Sequence, residues 1–245
     1  NGQQERTRHK AGEKGSEKRQ KPLLMVHGLC LNEKGWQAPG RHGEMLAGLG
    51  HHAPLYLRYN SGLAIHENGR QLSERLNHIC AQMPFGQGID MLAHSMGGLV
   101  VRSALHAAQQ AGHHWPARVD KLIFLGTPHN GAYLEKTGAL TQYLLNISPY
   151  SRPFVNLTKR RSQGIQDLNS GRINTGGRVF VLPKHIKTYA IAGFLQKKQT
   201  HLAGQFVGDG LVSVASALGH HRKKSRQLNL DKEHQFELPG VSHMG

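Results

Sequence analysis

Six residues decide the fold of this chain, Ala93-His94-Ser95-Met96-Gly97-Gly98, because a strand-like run precedes them and an apolar helical pattern follows. A serine at the tip of such a strand-to-helix turn needs nearly side-chain-free residues two positions before it and two positions after it. Ala93 and Gly97 meet this requirement, although glycine is the usual residue where Ala93 stands. The pattern predicts a nucleophile elbow with Ser95 at its tip.

Strand-like and helix-like segments alternate on both sides of this turn. Apolar residues at three- and four-residue steps predict an amphipathic helix over residues 68–83, with Asn68 as its N-cap. Another helix is predicted over 99–108 and a short one around 45–46. Strands are predicted at 23–26 (buried on both faces), 54–59 (nearer the sheet edge), 89–93, 121–125 and 186–195. This βαβαβ order predicts an α/β fold with a mostly parallel central sheet flanked by helices.

The length of 245 residues suits a single α/β domain. Residues 1–20 are charged and almost free of apolar side chains, so burial cannot compensate the entropy of ordering them. They are predicted to be a disordered basic tail, and residues 21–245 the domain. Within the domain, the pattern weakens at about 131–183 into short helices and turns, which predicts a partly helical, cap-like insertion.

The chain is strongly basic, with 31 lysines and arginines against 15 acidic residues and a net charge of +16. Much of the excess lies in the tail, in residues 159–161 and in residues 222–226. Such clusters are usually solvated faces, but they also attract anionic lipid or nucleic acid. No aromatic residues are interleaved with them and no nucleic-acid-binding signature is present, which argues against specific nucleic-acid binding. Loose association with an anionic membrane surface stays open.

No segment of the sequence approaches the roughly 20 apolar residues that span a bilayer. The chain is therefore predicted to be soluble, either cytoplasmic or peripheral to a membrane. It begins at Asn1 without an initiator methionine or a signal-like segment, as a fragment or a processed form would. The compartment is therefore left open.

Two cysteines, Cys30 and Cys80, exclude a disulfide-rich scaffold and a cysteine-ligated zinc cluster. One bridge between them is an alternative. Because Cys30 follows a core strand and Cys80 falls on a helix, both are predicted to be unpaired thiols.

A serine hydroxyl is a poor nucleophile at neutral pH, so Ser95 needs a histidine base and an acid that orients it. In hydrolases with this elbow the acid follows the serine in the chain, and the histidine follows the acid. Asp209 lies between two glycines in a turn, where the backbone can bend its carboxylate toward the elbow; an ordinary turn is the alternative.

The other acids after Ser95 are Asp120, Asp167, Asp231, Glu135, Glu233 and Glu237. Asp120 would lie at the wrong end of the sheet, and Asp167 falls in the insertion.

Four histidines follow Asp209: His220, His221, His234 and His243. The first three lie in charged stretches. His243 follows an extended segment, 236–242, that Pro239-Gly240 interrupts, and this position predicts the general base.

The oxyanion formed on an ester carbonyl needs preorganised N–H donors. The backbone N–H of Met96 lies next to the serine, and that of Leu29 follows Gly28 in the loop after the first strand. These two are the predicted donors, while His27 is interpreted as an anchor of that loop.

Six segments together resemble the lipase-like branch of the α/β-hydrolases, which includes bacterial triacylglycerol lipases and GPI inositol-deacylase-like proteins. They are residues 26–29, 59–62, 93–98, 126–131, 208–217 and 240–243, and the resemblance runs from about residue 22 to the end. It implies an α/β-hydrolase fold, a triad of Ser95, Asp209 and His243, and oxyanion donors at Leu29 and Met96. It implies neither a metal nor an organic cofactor.

These observations predict a serine carboxylic-ester hydrolase that acts on an ester or lipid through an acyl-enzyme on Ser95. An acyltransferase would use the same residues. A second class is a non-catalytic, basic membrane-surface module on the same fold. The insertion is expected to cover the site, and its apolar residues either face an acyl chain or belong to core packing; they are Leu140, Tyr143, Leu144 and Leu145.

Overall fold

Six parallel strands form one sheet at the centre of the molecule. The computed structural model describes residues 20–29, 31–36, 42–50, 52–132, 162–176, 180–195 and 208–243. The strands are β1 (Lys21–Val26), β2 (His52–Leu57), β3 (Ile89–His94), β4 (Val119–Leu125), β5 (Lys187–Phe194) and β6 (Gln235–Pro239). Their order in the sheet is β2-β1-β3-β4-β5-β6, with every neighbouring pair parallel. The predicted parallel α/β sheet is confirmed.

Helices cover both faces of this sheet. The α-helices are α1 (His42–Gly50), α2 (Ile65–Gln82), α3 (Met96–Ala111), α4 (Gln163–Ser170) and α5 (Val214–Ala217). Short 3-10 helices lie at Glu33–Trp36, Trp115–Arg118, Lys224–Arg226 and Lys232–His234. In β1, Leu24 and Val26 join the core cluster with α2 and α3, whereas Leu23 and Met25 pack on the other face with Trp36. This strand is buried on both faces, as its continuous apolar run predicts.

Helix α2 begins earlier than its apolar pattern predicts. Its first residue is Ile65 and its N-cap position is Ala64, so the expectation that Asn68 caps the helix was wrong. Asn68 lies buried within the first turn, and its Nδ2 donates to the backbone oxygen of Asn60 over 2.9 Å. The Ile65 N–H donates instead to Oδ2 of Asp167 over 3.1 Å, a residue 102 positions away. A remote carboxylate thus supplies the cap.

The edge strand β2 covers residues 52–57 rather than the predicted 54–59. Beyond its end, the Tyr59 hydroxyl donates to the backbone oxygen of His27 over 2.7 Å. This contact joins the segments that follow β1 and β2.

Only part of the predicted insertion falls within the described residues. Helix α4 packs Ile165 and Leu168 into the main core cluster, so this portion belongs to the body of the domain. Leu140, Tyr143, Leu144 and Leu145 lie outside the described residues, as do residues 1–19 of the predicted tail over 1–20.

Cys80 is a free thiol, and it is buried on α2. Burial raises its pKa. Cys30 lies outside the described residues. Among the residues described, no helix has both the length and the apolar character needed to cross a membrane.

Candidate active site

Ser95 occupies a strained turn between β3 and α3. Its φ of 52° and ψ of −124° make it the one residue other than glycine, in the described part of the chain, with a positive φ. Such a conformation costs free energy in an L-residue and persists only where neighbouring structure imposes it. Here the Ser95 N–H donates to the backbone oxygen of Leu125 on β4 over 2.8 Å. The turn therefore projects the hydroxyl beyond the carboxyl ends of the strands.

Glycines let neighbouring chain segments approach this turn. A Cβ on Gly97 would lie 2.6 Å from the backbone oxygens of both Val26 and His27, and a Cβ on Gly98 would collide with Thr127. In the same segment after β1, a Cβ on Gly28 would lie 3.0 Å from the Ser95 Cβ. The loop after β1 and the first turn of α3 are thus packed against the serine.

His243 lies between Ser95 and Asp209 in one hydrogen-bonded chain. Its Nε2 is 2.8 Å from the Ser95 Oγ, and its Nδ1 is 2.6 Å from the Asp209 Oδ2. The three residues are 4%, 5% and 7% exposed for Ser95, Asp209 and His243, so water competes little for these bonds. A carboxylate only accepts, so Nδ1 carries the proton. Nε2 is then the acceptor for the serine hydroxyl.

Backbone donors and a tight turn hold the Asp209 carboxylate. Its Oδ1 accepts from the N–H groups of Leu211 and Val212 over 3.1 and 2.9 Å. Gly208 permits the turn, because a Cβ there would overlap the backbone of Val212. The His243 N–H donates to the Asp209 backbone oxygen over 3.0 Å, which joins the two segments a second time.

The loop after β4 forms a further wall of the site. Gly126 has a φ of 53°, and a Cβ on it would lie 3.1 Å from the Asp209 Oδ2 and 3.4 Å from the His243 ring. Its N–H donates to the backbone oxygen of Ile191 on β5. A side chain at this position would press against both the acid and the imidazole.

His94, which precedes the serine, has a contact that sequence reasoning missed. Its Nε2 lies 3.0 Å from the backbone oxygen of His243, and the two rings are 5.0 Å apart. A carbonyl only accepts, so Nε2 is the donor and carries the proton. Burial, together with neighbouring His243, lowers the pKa of His94 to about 4. The His94 side chain therefore joins the elbow to the segment that carries His243.

The predicted oxyanion donors, Met96 and Leu29, adjoin Ser95 and Gly28 in the sequence. Met96 is fully buried and is the first residue of α3, where backbone N–H groups have no partner within the helix. Leu29 is 3% exposed and follows Gly28, which packs on Ser95. His27 stacks on Tyr59 with 4.3 Å between ring centroids, and its Nδ1 lies 2.9 Å from the Gly28 oxygen. Burial lowers the pKa of His27.

The acids that the sequence placed outside the site have other contacts. The Asp120 carboxylate pairs with Lys21 over 2.7 Å at the amino ends of the strands, and Asp167 binds the start of α2. Among the other histidines, His234 packs its ring on Tyr189 with 4.4 Å between centroids, and the His221 Nδ1 accepts from the Lys223 N–H.

Clusters of side chains that could bind a metal ion were sought in the described part of the chain. Within the ranges described above, no group of three or more His, Cys, Asp or Glu side chains could hold a metal ion.

Solved structures with the same fold include three ester-cleaving enzymes. The mature lipase BlEst2 of Bacillus licheniformis superposes with a TM-score of 0.59 at 19% identity, covering 93% of this chain and 86% of that one. A metagenomic carboxyl esterase, MGS0156, gives 0.58 at 16% identity, covering 92% and 65%. The phospholipase PlaB of Legionella pneumophila gives 0.59 at 16% identity, covering 91% and 53%. The chain thus has the α/β-hydrolase fold and spans little more than half of the phospholipase.

Sequence comparison gives one family. The family described as "Domain of unknown function (DUF7379)" matches residues 2–152, which is more than half of the chain. Comparison with curated protein sequences finds no match.

Proposed function

Because the chain belongs to the DUF7379 family, whose description assigns no activity, we propose from its site and fold that it is a serine hydrolase of carboxylic esters. The observation that carries the proposal is the buried, hydrogen-bonded chain from the Ser95 Oγ through His243 to Asp209. This arrangement matches the roles that acyl transfer requires of a nucleophile, a base and an orienting acid.

The first half-reaction forms an acyl-enzyme. The Ser95 Oγ attacks the ester carbonyl carbon while its proton passes to the His243 Nε2. Asp209 fixes the imidazole with its Nδ1–H toward the carboxylate and stabilises the imidazolium that forms. The carbon–oxygen bond to the alcohol then breaks, and His243 returns the proton to the leaving alkoxide.

In the second half-reaction, water attacks the acyl-enzyme. His243 takes a proton from the water, and the tetrahedral intermediate collapses to the free carboxylic acid as the proton passes to Ser95 Oγ. In both steps the N–H groups of Leu29 and Met96 are assigned to the oxyanion, a type of interaction whose loss costs roughly a hundred- to a thousand-fold in rate. The residues use no metal or organic cofactor in any of these steps.

The names of the fold neighbours support an ester or lipid substrate. They are a lipase, a carboxyl esterase and a phospholipase, and the motifs resemble the lipase-like and GPI inositol-deacylase-like branch. An apolar cap formed by the predicted insertion outside α4 would make medium or long acyl chains fit the site better than acetyl. Hydrolysis of p-nitrophenyl esters from acetate to palmitate tests this, and a strict preference for acetate would contradict the apolar cap.

A fluorophosphonate probe tests the proposal directly. The wild-type protein and Ser162→Ala, a control at a serine whose side chain makes no cap hydrogen bond, should be labelled, whereas Ser95→Ala should not. Absence of labelling in a folded wild-type protein would instead favour the non-catalytic, basic membrane-surface module. An acyltransferase would label equally, and transfer of the acyl group to an added alcohol in preference to water would identify it.

A further inference from the structure

A strongly basic cavity lies apart from the proposed triad. Its volume is about 620 Å³, and none of Ser95, Asp209 and His243 lines it. Its walls come from α3, the loop after β4, the turn after α4, residues near Phe180 and the segment around the 3-10 helix Lys224–Arg226. This volume falls in the range of roughly 300–1,000 Å³ that is typical of sites for organic ligands.

Arg102 is a buried cation in the wall of this cavity. It is 8% exposed, and its Nε has no hydrogen-bond partner in the described structure. Its Nη1 donates to the His129 backbone oxygen over 3.3 Å. Burial lowers the pKa of the guanidinium to about 10. Among the described residues, no carboxylate lines the cavity beside this guanidinium. Because a buried charge is costly without a partner of opposite charge, an anion in the cavity would stabilise Arg102.

His129 supplies a second unpartnered donor. Its Nδ1 lies 3.4 Å from the Arg102 Nη1, which can only donate, so Nδ1 is the acceptor and Nε2 carries the proton. The Nε2 is buried and lacks a partner among the described atoms. Burial, with Arg102 close by, lowers the pKa of His129. His129 therefore lines the cavity as a neutral ring beside the guanidinium.

Three exposed cations also line the cavity: Arg172, Lys223 and Arg226. No aspartate or glutamate is found among the described residues that line the cavity. Four positive side chains around one space repel one another, and arginine forks fit the oxygens of a phosphate. A multiply charged anion would convert this repulsion into charge-assisted hydrogen bonds.

We propose that this cavity binds the phosphate group of an organic phosphate, with Arg102 and His129 at its base and Arg172, Lys223 and Arg226 at its rim. The space exceeds what a bare phosphate ion needs, so the organic part of the ligand occupies the remainder. A soluble phosphomonoester and a phospholipid headgroup offer the same chemistry.

The two rim arginines, Arg172 and Arg226, are exposed, so their replacement tests the site without disturbing core packing. Titration calorimetry with glycerol 3-phosphate, at constant ionic strength set with chloride, should show binding to the wild-type protein. Arg172→Gln/Arg226→Gln should bind at least about tenfold more weakly. Arg75→Gln/Lys184→Gln removes the same charge from exposed positions outside the cavity and should bind like the wild type. Equal weakening in both double variants would overturn the site.

Arg102→Gln tests the base of the cavity. The amide can still donate to the His129 oxygen, but the charge is gone. Glycerol 3-phosphate should raise the melting temperature of the wild-type protein and leave that of this variant unchanged. A rise of the same size in both would overturn the role of Arg102, and if this variant fails to fold, the rim variants decide.

Vesicles distinguish the two sources of phosphate. Flotation with phosphatidylcholine vesicles, with and without phosphatidic acid, should recover the protein only with phosphatidic acid if the ligand is a headgroup, and Arg172→Gln/Arg226→Gln should lose this recovery. Binding of glycerol 3-phosphate without flotation identifies a soluble ligand. The proposal is overturned if the protein binds neither glycerol 3-phosphate nor vesicles that contain phosphatidic acid. Labelling of Ser95 by the fluorophosphonate reports on the proposed catalysis alone, so the two proposals fail separately.

Discussion

The His94 Nε2 donates to the backbone oxygen of His243 over 3.0 Å. The residue next to the proposed nucleophile thus holds the segment that carries the proposed base, across 149 positions of the chain. Four hydrogen bonds then fix His243: its ring binds Ser95 and Asp209, its N–H donates to the Asp209 backbone oxygen, and its carbonyl accepts from His94. We interpret His94 as a positioning residue.

Replacing His94 should reveal this role in the kinetics. His94→Ala should lower kcat roughly ten- to a hundred-fold with a smaller change in KM, because a misplaced base costs rate more than binding. His94→Gln can still donate to the carbonyl and should recover much of kcat. Hydrolysis of p-nitrophenyl esters provides the measurement, with His114→Ala at an exposed imidazole as the control. Equal activities of the Ala and Gln variants would rule out positioning through this bond.

The Asp209 carboxylate should matter through its charge rather than its shape. In Asp209→Asn one oxygen can still accept from Leu211 and Val212, so the turn should persist. The imidazole then loses the partner that fixes its Nδ1–H tautomer, and kcat should fall by about 10⁴. Asp231→Asn, at an exposed carboxylate, should be as active as the wild type. Circular dichroism checks the fold, and a loss of less than tenfold would argue against this acid.

Two helical glycines should differ sharply in their tolerance of a methyl group. Gly97→Ala places a Cβ 2.6 Å from two backbone oxygens of the β1 segment, so it should lower the free energy of unfolding by about 2–3 kcal/mol. Gly48→Ala, in α1, meets nothing within 4 Å and should be neutral or stabilising by about 0.5–1 kcal/mol. Urea unfolding measures both. The prediction fails if the two variants are equally stable.

Lowering the pH should destabilise the fold before the carboxyl groups become protonated. His27, His94 and His129 all have lowered pKa values in the folded protein, about 4 for His94. Between that value and about 6.5 the unfolded chain binds more protons, so stability is complete above about pH 6.5 and declines as the pH falls toward 4. His94 alone accounts for a loss of the order of 3 kcal/mol. Thermal unfolding from pH 7.5 to 4.5 measures this, and a flat profile above pH 5 would contradict it.

Local patterns predicted most of the fold, because buried strands and amphipathic helices leave periodic signals. These signals predicted strand β3, helix α3 behind it and the alternating order of strands and helices. The cap of α2 was not, since the group that binds the Ile65 N–H is Asp167, far along the chain. The sequence did not predict the contacts of His94 and Arg102 for the same reason, because their partners belong to other segments of the chain. The roles assigned to Ser95, Asp209 and His243 remain predictions until a variant is assayed.

Strand β6 is the last strand in the sequence and forms one edge of the sheet, next to β5. The hydroxyl and the imidazole are separated by 148 positions, so their encounter requires the closure of a long loop, and contacts of this kind form slowly. A refolding chain is expected to recover its helical dichroism while the serine is still inert toward electrophiles, and to gain reactivity only when the edge strand docks. Under the proposed mechanism, a half-folded chain would therefore not be acylated.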